Sequence, residues 1–381
     1  MTIPPSAAAR RAAAAQPRHA ITINGRFLAQ RTSGVQRYAR QILAAMADLV
    51  AESPARYADL GFRLALPSDA EGPVPDYLDF ARPVAGRKRG YAWEQIELPR
   101  AAGLSLNLCN LAPVAARRKV VCIHDVNTYL APYSYDWKYR AFQRVSVPLL
   151  GRTASAVVTV SHSSARSLAA VGAVRDAGAV VVAPNGHEHA LAWRADKAAL
   201  DLDAVTHRPF VVMLGGRAPH KNVGLVRAIA PALAARGIDC VVTGSLDGVF
   251  ARGGVGDLGP IHAVGHVSDD DIALLFSRAV GLLFPSFVEG FGLPIVEAMA
   301  RGCPVVSSDR SCMPEICADA AILADPEDPA AWIAAIAGLA GNPDLRADRI
   351  AAGRARVAHY SWRTSAQTYL DLLGRLVRSP A

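Results

Sequence analysis

The stretch FPSFVEGFGLPIVEAMARGC at 284–303 carries two carboxylates, Glu289 and Glu297, eight positions apart across an apolar, glycine-bearing run. Pro294 suits a first helical turn and Gly302 a stop, so PIVEAMARG reads as a short helix packed by Ile295, Ala298 and Met299. Glu297 then lies one turn into the helix and Glu289 in the loop before it. In a parallel sheet both face the carboxyl edge, where open α/β folds bind ligands. Glycines around Phe291 let backbone N–H groups approach an anion at the positive end of the helix. The plainer alternative is an acidic residue near a helix start and a solvated surface glutamate.

Other segments offer complementary chemistry. LGGRAPHKN at 214–222 follows the apolar run FVVML, and its Arg217 and Lys221 straddle a turn at Pro219. A guanidinium fork plus an ammonium suits a diphosphate that gains charge as it leaves; two solvated loop cations is the alternative. In VVCIHDVNTYL, His124 and Asp125 follow directly on a strand-like run, so His124 reads either as a partner for substrate hydroxyls or as a locally satisfied histidine. Asp125 has a helix cap as its alternative, and Ser161 in VTVSHSSA is most simply a cap. GVGDLG at 254–259 fits GxGxxG but neither follows a buried strand nor opens a helix, so it is read as a surface loop. Among the six cysteines there is no CxxC pair, and a metal site built from Cys303, Cys312 and Cys317 is set aside.

These residues need a scaffold. Short β-branched runs at 21–23, 62–66, 120–123, 156–160 and 179–183 alternate with helical patterns, and a second series follows at 210–214, 239–243, 280–284 and 304–308. Such alternation predicts two doubly wound parallel sheets. Between them 184–209 loses the strand pattern and gains charge and turn residues, which marks it as the linker. Val35, Tyr38, Ile42, Met46 and Leu49 recur at helical spacing, so a helix begins just after Gly34. Ser268 and Asp271 form a predicted capping box.

The totals agree with a two-domain protein: 381 residues exceed one ordinary core, and domains of roughly 150 to 200 residues are expected. No run approaches the roughly 18 to 20 apolar residues of a spanning helix. Arg10, Arg11 and Pro17 interrupt the alanines of the opening 1–18, which reads as a disordered tail and not a signal peptide, placing the chain in the cytoplasm. The net charge of +8, from 41 basic and 33 acidic residues, favours polyanionic partners. With no recognition helix of clustered basic residues and no stacking-aromatic motif, nucleic acid is not expected. Arg82, Arg87, Lys88 and Arg89 beside Tyr91 and Trp93 suit an anionic membrane surface met peripherally at its inner face.

EGFGLPIVE, GGRAPHKN, IHD, VSHSS, PNG and GHVSDDDIALLFSRA, in the order they hold in this chain, resemble glycosyltransferase family 4, retaining enzymes of the GT-B fold. The likeness spans roughly residues 20 to 375, and GRFLAQRTSGVQRYARQ resembles a mannosyltransferase-like subgroup. It implies an α/β, GT-B architecture of two Rossmann-like doubly wound parallel-sheet domains facing a cleft. The expected bounds are an acceptor-binding domain at 19–190, a nucleotide-sugar domain at 191–361 and a terminal helix at 362–381 returning to the first domain. The resemblance gives Glu297 the ribose hydroxyls, Arg217 and Lys221 the diphosphate, and the backbone N–H groups of Phe291, Gly292 and Leu293 phosphate and sugar. Glu289 and His124 meet the transferred sugar as catalytic candidates, and Gly34 opens the first loop against the diphosphate. Relatives often carry paired glycines there, where this chain has Thr32, Ser33 and Gly34. The implied donor is a GDP-sugar or UDP-sugar, the acceptor a saccharide or lipid-linked saccharide, and turnover needs no metal or other cofactor. A sugar-nucleotide epimerase of the same fold, and a basic membrane- or nucleic-acid-binding protein, are the alternatives.

Overall fold

The computed structural model describes residues 19–101, 103–244 and 260–378; the tail at 1–18 and GVGDLG at 254–259 lie outside the described residues. Two sheets organise the chain. The first has the order β3-β2-β1-β4-β5-β6-β7, from β1 (His19–Asn24), β2 (Leu60–Leu66), β3 (Ala81–Ala85), β4 (Leu104–Asn107), β5 (Lys119–Cys122), β6 (Ala156–Thr159) and β7 (Val181–Val182). The second has the order β10-β9-β8-β11-β12-β13, from β8 (Phe210–Leu214), β9 (Asp239–Thr243), β10 (Ile261–Gly265), β11 (Gly281–Phe284), β12 (Val305–Ser308) and β13 (Ile322–Ala324). Adjacent strands run parallel, as in Ile21 opposite Phe62 and Leu282 opposite Val305. Strands covered on both faces read as unbroken apolar runs, which is why FVVML and GLLF lack alternation. This is the predicted doubly wound α/β class.

The helices start where local chemistry dictates. Helix α1 (Gly34–Glu52) begins at the expected glycine, with the Ser33 N–H donating to Gln36 Oε1 at 3.2 Å and Tyr38, Ile42, Met46 and Leu49 buried. Ser161 caps α2 (His162–Ala170) by accepting from the Ser164 N–H. Helix α3 (Asp269–Arg278) has the predicted capping box, the Ser268 N–H donating to Asp271 Oδ2 at 2.8 Å and Ser268 Oγ accepting from the Asp271 N–H at 3.1 Å. Helix α4 (Leu293–Ala300) opens after Gly292 at φ +85° and stops at Gly302 at φ +72°, with Ile295, Ala298 and Met299 buried. Among the described residues no helix is long and apolar enough to cross a membrane. Burial pushes the thiols of Cys122, Cys240, Cys303 and Cys317 up to about 12, which keeps them protonated.

The described residues form two compact units. One holds the chain up to Ile123, Leu149–Val158 and the segment from Ala366 onward; the other holds His124–Pro148 and Thr159–Ser365. This division differs from a single boundary near residue 190. The segment at 184–209 is also no free linker, because its polar groups are tied down within the second unit. Asp271 Oδ1 accepts the N–H groups of Ala199 and Leu200 at 2.7 and 2.8 Å, and Asp270 accepts that of Arg194. Turn residues and charge mark irregular backbone, and irregular backbone is not the same as unattached backbone. In the first unit Tyr57 and Tyr38 hydrogen-bond Gln367 and Tyr369 of α5 (Trp362–Arg378). Trp93 departs from its expected surface role: it is buried, whereas Tyr91 is half exposed.

Candidate active site

In the second sheet the strand order reverses between β8 and β11, and such a switch point opens a crevice at the carboxyl ends of the strands. The loops leaving these two strands carry Lys221 and Glu289, whose Nζ and Oε1 lie 3.5 Å apart. Ser286 Oγ donates to the same carboxylate oxygen at 3.0 Å. The Glu289 backbone is held as well, its N–H donating to Ser311 Oγ and its carbonyl accepting from that hydroxyl at 3.0 Å. Ser311 takes the left-handed conformation at φ +57°, an uncommon backbone for serine that local bonds must maintain. His220 is buried and lies flat on Tyr135 at 6.1 Å, and its carbonyl accepts the Phe287 N–H, tying the two loops together.

Gly290 explains why the IHD segment belongs to this site. A Cβ there would sit 2.5 Å from the His124 carbonyl oxygen and 3.1 Å from Asp125 Cβ, so the two backbones touch. Ser161 Oγ donates to the Gly290 carbonyl at 2.7 Å, and Ser164 Oγ lies 2.9 Å from the His124 carbonyl and 3.0 Å from that of Gly290. The serines of VSHSS thus fasten the His124 loop to the Glu289 loop. Charge accumulates there. Burial raises the Asp125 carboxyl to about 6, with the nearby Glu289 charge adding to the rise against the Asn127 N–H it accepts. Burial likewise lowers His220, with Glu289 opposing and Lys221 reinforcing the shift.

The raised Asp125 fixes a sign for pH. An ordinary aspartate titrates near about 4, so between about 4 and 6 the folded chain holds a proton that the unfolded chain has lost. The stability linked to this proton is complete below that window and is lost as pH rises through it. Asp125→Asn keeps an oxygen for the Asn127 N–H and removes the charge. It is expected to melt higher than wild type at pH 8, with the gap closing by pH 4 in a calorimetric series; a gap independent of pH would show that Asp125 is not the titrating group.

Glu297 lies apart from this cluster in kind. It is buried in α4, with Oε1 2.9 Å from His189 Nε2. Trp362 Nε1–H donates to His189 Nδ1 at 2.9 Å. An indole nitrogen can only donate, so His189 Nδ1 accepts and the ring proton sits on Nε2, aimed at Glu297. The sequence does not point to His189 and Trp362, because no spacing rule links partners 108 and 173 positions apart, nor does it single out Ser286 and Ser311.

The remaining candidates are placed as follows. Phe291 is buried edge-on to Tyr360 at 5.3 Å. Leu293 is the first residue of α4, whose leading N–H groups have no acceptor within the helix. Arg217 is exposed beyond β8 and, with Gly216, Gly244, His266 and Val267, lines a depression of about 430 Å³ at the carboxyl edge of β8, β9 and β10. Gly34, in the first unit, is exposed at the start of α1 with open space where a Cβ would stand.

Residues 195–356, which hold Arg217, Lys221, Glu289 and Glu297, match the family model described as glycosyl transferases group 1. The chain is 41% identical to the O-antigen chain mannosyltransferase B of Escherichia coli over 104 residues, 27% of each protein, so it spans about a quarter of that relative's length. The solved sucrose-phosphate synthase of Thermosynechococcus elongatus superposes with a TM-score of 0.69 at 18% identity, covering 94% of this chain and 99% of that one. HepE from Anabaena, solved in complex with UDP, gives 0.62 at 18% identity over 94% and 100%. These likenesses establish the GT-B fold. The matched segment contains both loops of the switch-point crevice and the whole of α4, whereas Gly34, His124, His189 and Trp362 lie outside it.

Proposed function

We propose that this chain is a retaining family 4 glycosyltransferase that moves a hexose, mannose foremost, from a nucleotide diphosphate sugar to a hydroxyl of a saccharide or lipid-linked saccharide. The observation that carries the reading is the Lys221–Glu289 pair at the switch point of the second sheet, beside the leading N–H groups of α4. Lys221 and Arg217 neutralise the diphosphate, the backbone of Phe291, Gly292 and Leu293 donates to phosphate and sugar, and Glu297 accepts from the ribose hydroxyls. His124 and Glu289 hold the transferred sugar. In the reaction the bond from the anomeric carbon to the phosphate oxygen breaks and the bond to the acceptor oxygen forms on the same face. The acceptor's proton passes to the departing phosphate oxygen, giving a nucleoside diphosphate and the glycoside. The mannosyl relative and the UDP-bound neighbour support the reading.

A ligand that binds only the native state raises its melting temperature. A panel of GDP, UDP and their hexose conjugates is therefore expected to give a shift for one base, of the same size with EDTA present. No shift for any nucleotide would remove the reading, and a shift abolished by EDTA would remove its metal independence. Peripheral attachment to an anionic membrane belongs to the same proposal, supported by exposed Arg82, Arg87, Lys88 and Arg89. Vesicles rich in phosphatidylglycerol should retain the protein at low salt and release it at high salt; failure to bind them at low salt ends that part.

A further inference from the structure

The first sheet also has a switch point. Its order reverses between β1 and β4, whose last residues are Asn24 and Asn107. Their side chains head a buried polar network that none of the chemistry assigned above uses. Asn24 Nδ2 donates to Glu94 Oε1 at 2.7 Å and to Asn107 Oδ1 at 3.1 Å, and Asn107 Nδ2 donates to Ser105 Oγ and the Val120 carbonyl. Arg26, turning back over the edge of β1, brings Nε within 3.5 Å of Glu94 Oε1, with the two side chains 9% and 1% exposed.

This ion pair is incompletely closed. A structural arginine and carboxylate usually meet as a two-bond fork, yet here a single long contact joins them. Glu94 Oε2 is buried and no hydrogen bond of ordinary geometry reaches it among the described residues, the Gln95 side chain being a neighbour of the carboxylate. A buried carboxylate oxygen left in this state is costly and calls for an explanation. The Arg26 guanidinium lies 4.4 Å from the ring centroid of Tyr91, which is 50% exposed.

We infer that the Asn24–Arg26–Glu94 edge of the first sheet, with Tyr91 beside it, is a saccharide-binding subsite. The charges narrow the ligand class. An anion would meet Glu94 and a cation would meet Arg26, whereas a neutral polyol satisfies both. One sugar hydroxyl accepts from the guanidinium and its vicinal neighbour donates to the Glu94 carboxylate, while Tyr91 offers an amphipathic surface to the C–H face of the ring. Asn24 acts as the positioning residue that fixes the carboxylate. On the glycosyltransferase reading, on which the occupant's identity rests, this saccharide is the acceptor.

Saturation-transfer NMR with methyl α-D-mannopyranoside, α-D-glucopyranoside and α-D-galactopyranoside tests the subsite directly. Wild type is expected to transfer saturation to at least one glycoside. Tyr91→Ala, a surface change, and Glu94→Gln, which keeps the side-chain shape, should each weaken that glycoside about tenfold while the nucleotide-induced melting shift persists. No transfer to any of the three from wild type, or transfer equal in wild type and both variants, overturns the proposal. Glycoside binding that the variants weaken, in a protein no nucleotide stabilises, would keep the subsite and discard the transferase reading.

Discussion

Glu289→Gln is expected to lower hexosyl transfer by about two to three orders of magnitude, the range seen when one pre-positioned electrostatic group is removed from an active site. The substitution is nearly isosteric. The amide oxygen still accepts from Ser286, and the Ser311 bonds go to the backbone, so the loop should keep its shape. What disappears is the negative charge 3.5 Å from Lys221. A lysine relieved of that partner holds a nucleoside diphosphate at least as firmly, so the loss should fall on kcat, with the donor KM unchanged or lower. Steady-state rates with the nucleotide sugar identified by thermal shift would check this. Turnover near wild type would take Glu289 out of the chemistry, and a raised donor KM at unchanged kcat would make it a binding residue.

The two glutamates also show what sequence does and does not reveal. Pro294, Gly302 and the spacing of Ile295, Ala298 and Met299 place α4 and put Glu297 on it, because helix termini and amphipathic faces are local properties. The Ser268–Asp271 box and the start of α1 are legible for the same reason. Legibility fails where one residue serves two places. Asp271 closes its own helix and also gathers the Ala199 and Leu200 N–H groups, so a segment that reads as linker is fastened along its length. Gly290 reads in sequence as a glycine that lets backbone N–H groups approach an anion, yet its constraint is the His124 carbonyl brought against it by the fold. Trp93 shows the converse: beside four cations it reads as a surface aromatic, but it is buried. These contacts depend on sheet order, which periodicity does not encode.

His189→Phe is expected to erase the discrimination between ribose and deoxyribose in the bound nucleotide. Trp362 occupies Nδ1 of the imidazole and thereby commits Nε2–H to Glu297, so the carboxylate is aimed by a chain of three side chains. Phenylalanine fills a similar volume but donates nothing, leaving Oε1 buried without its donor. If Glu297 accepts from the ribose hydroxyls, wild type should prefer the ribonucleotide over its 2′-deoxy and 3′-deoxy forms by about 10- to 100-fold, the cost of about 1.5–3 kcal/mol for a hydrogen bond to a charged group. In His189→Phe the ribonucleotide should weaken toward the deoxy forms while the deoxy forms stay where they were. His189→Gln, which can place an amide N–H near the lost Nε2, should recover part of the preference. Isothermal titration of the three nucleotides separates the outcomes. A wild type indifferent to the hydroxyls would take the ribose away from Glu297, whereas a variant that weakens all three equally would reduce His189 to a packing role, because only an aimed carboxylate makes the loss selective.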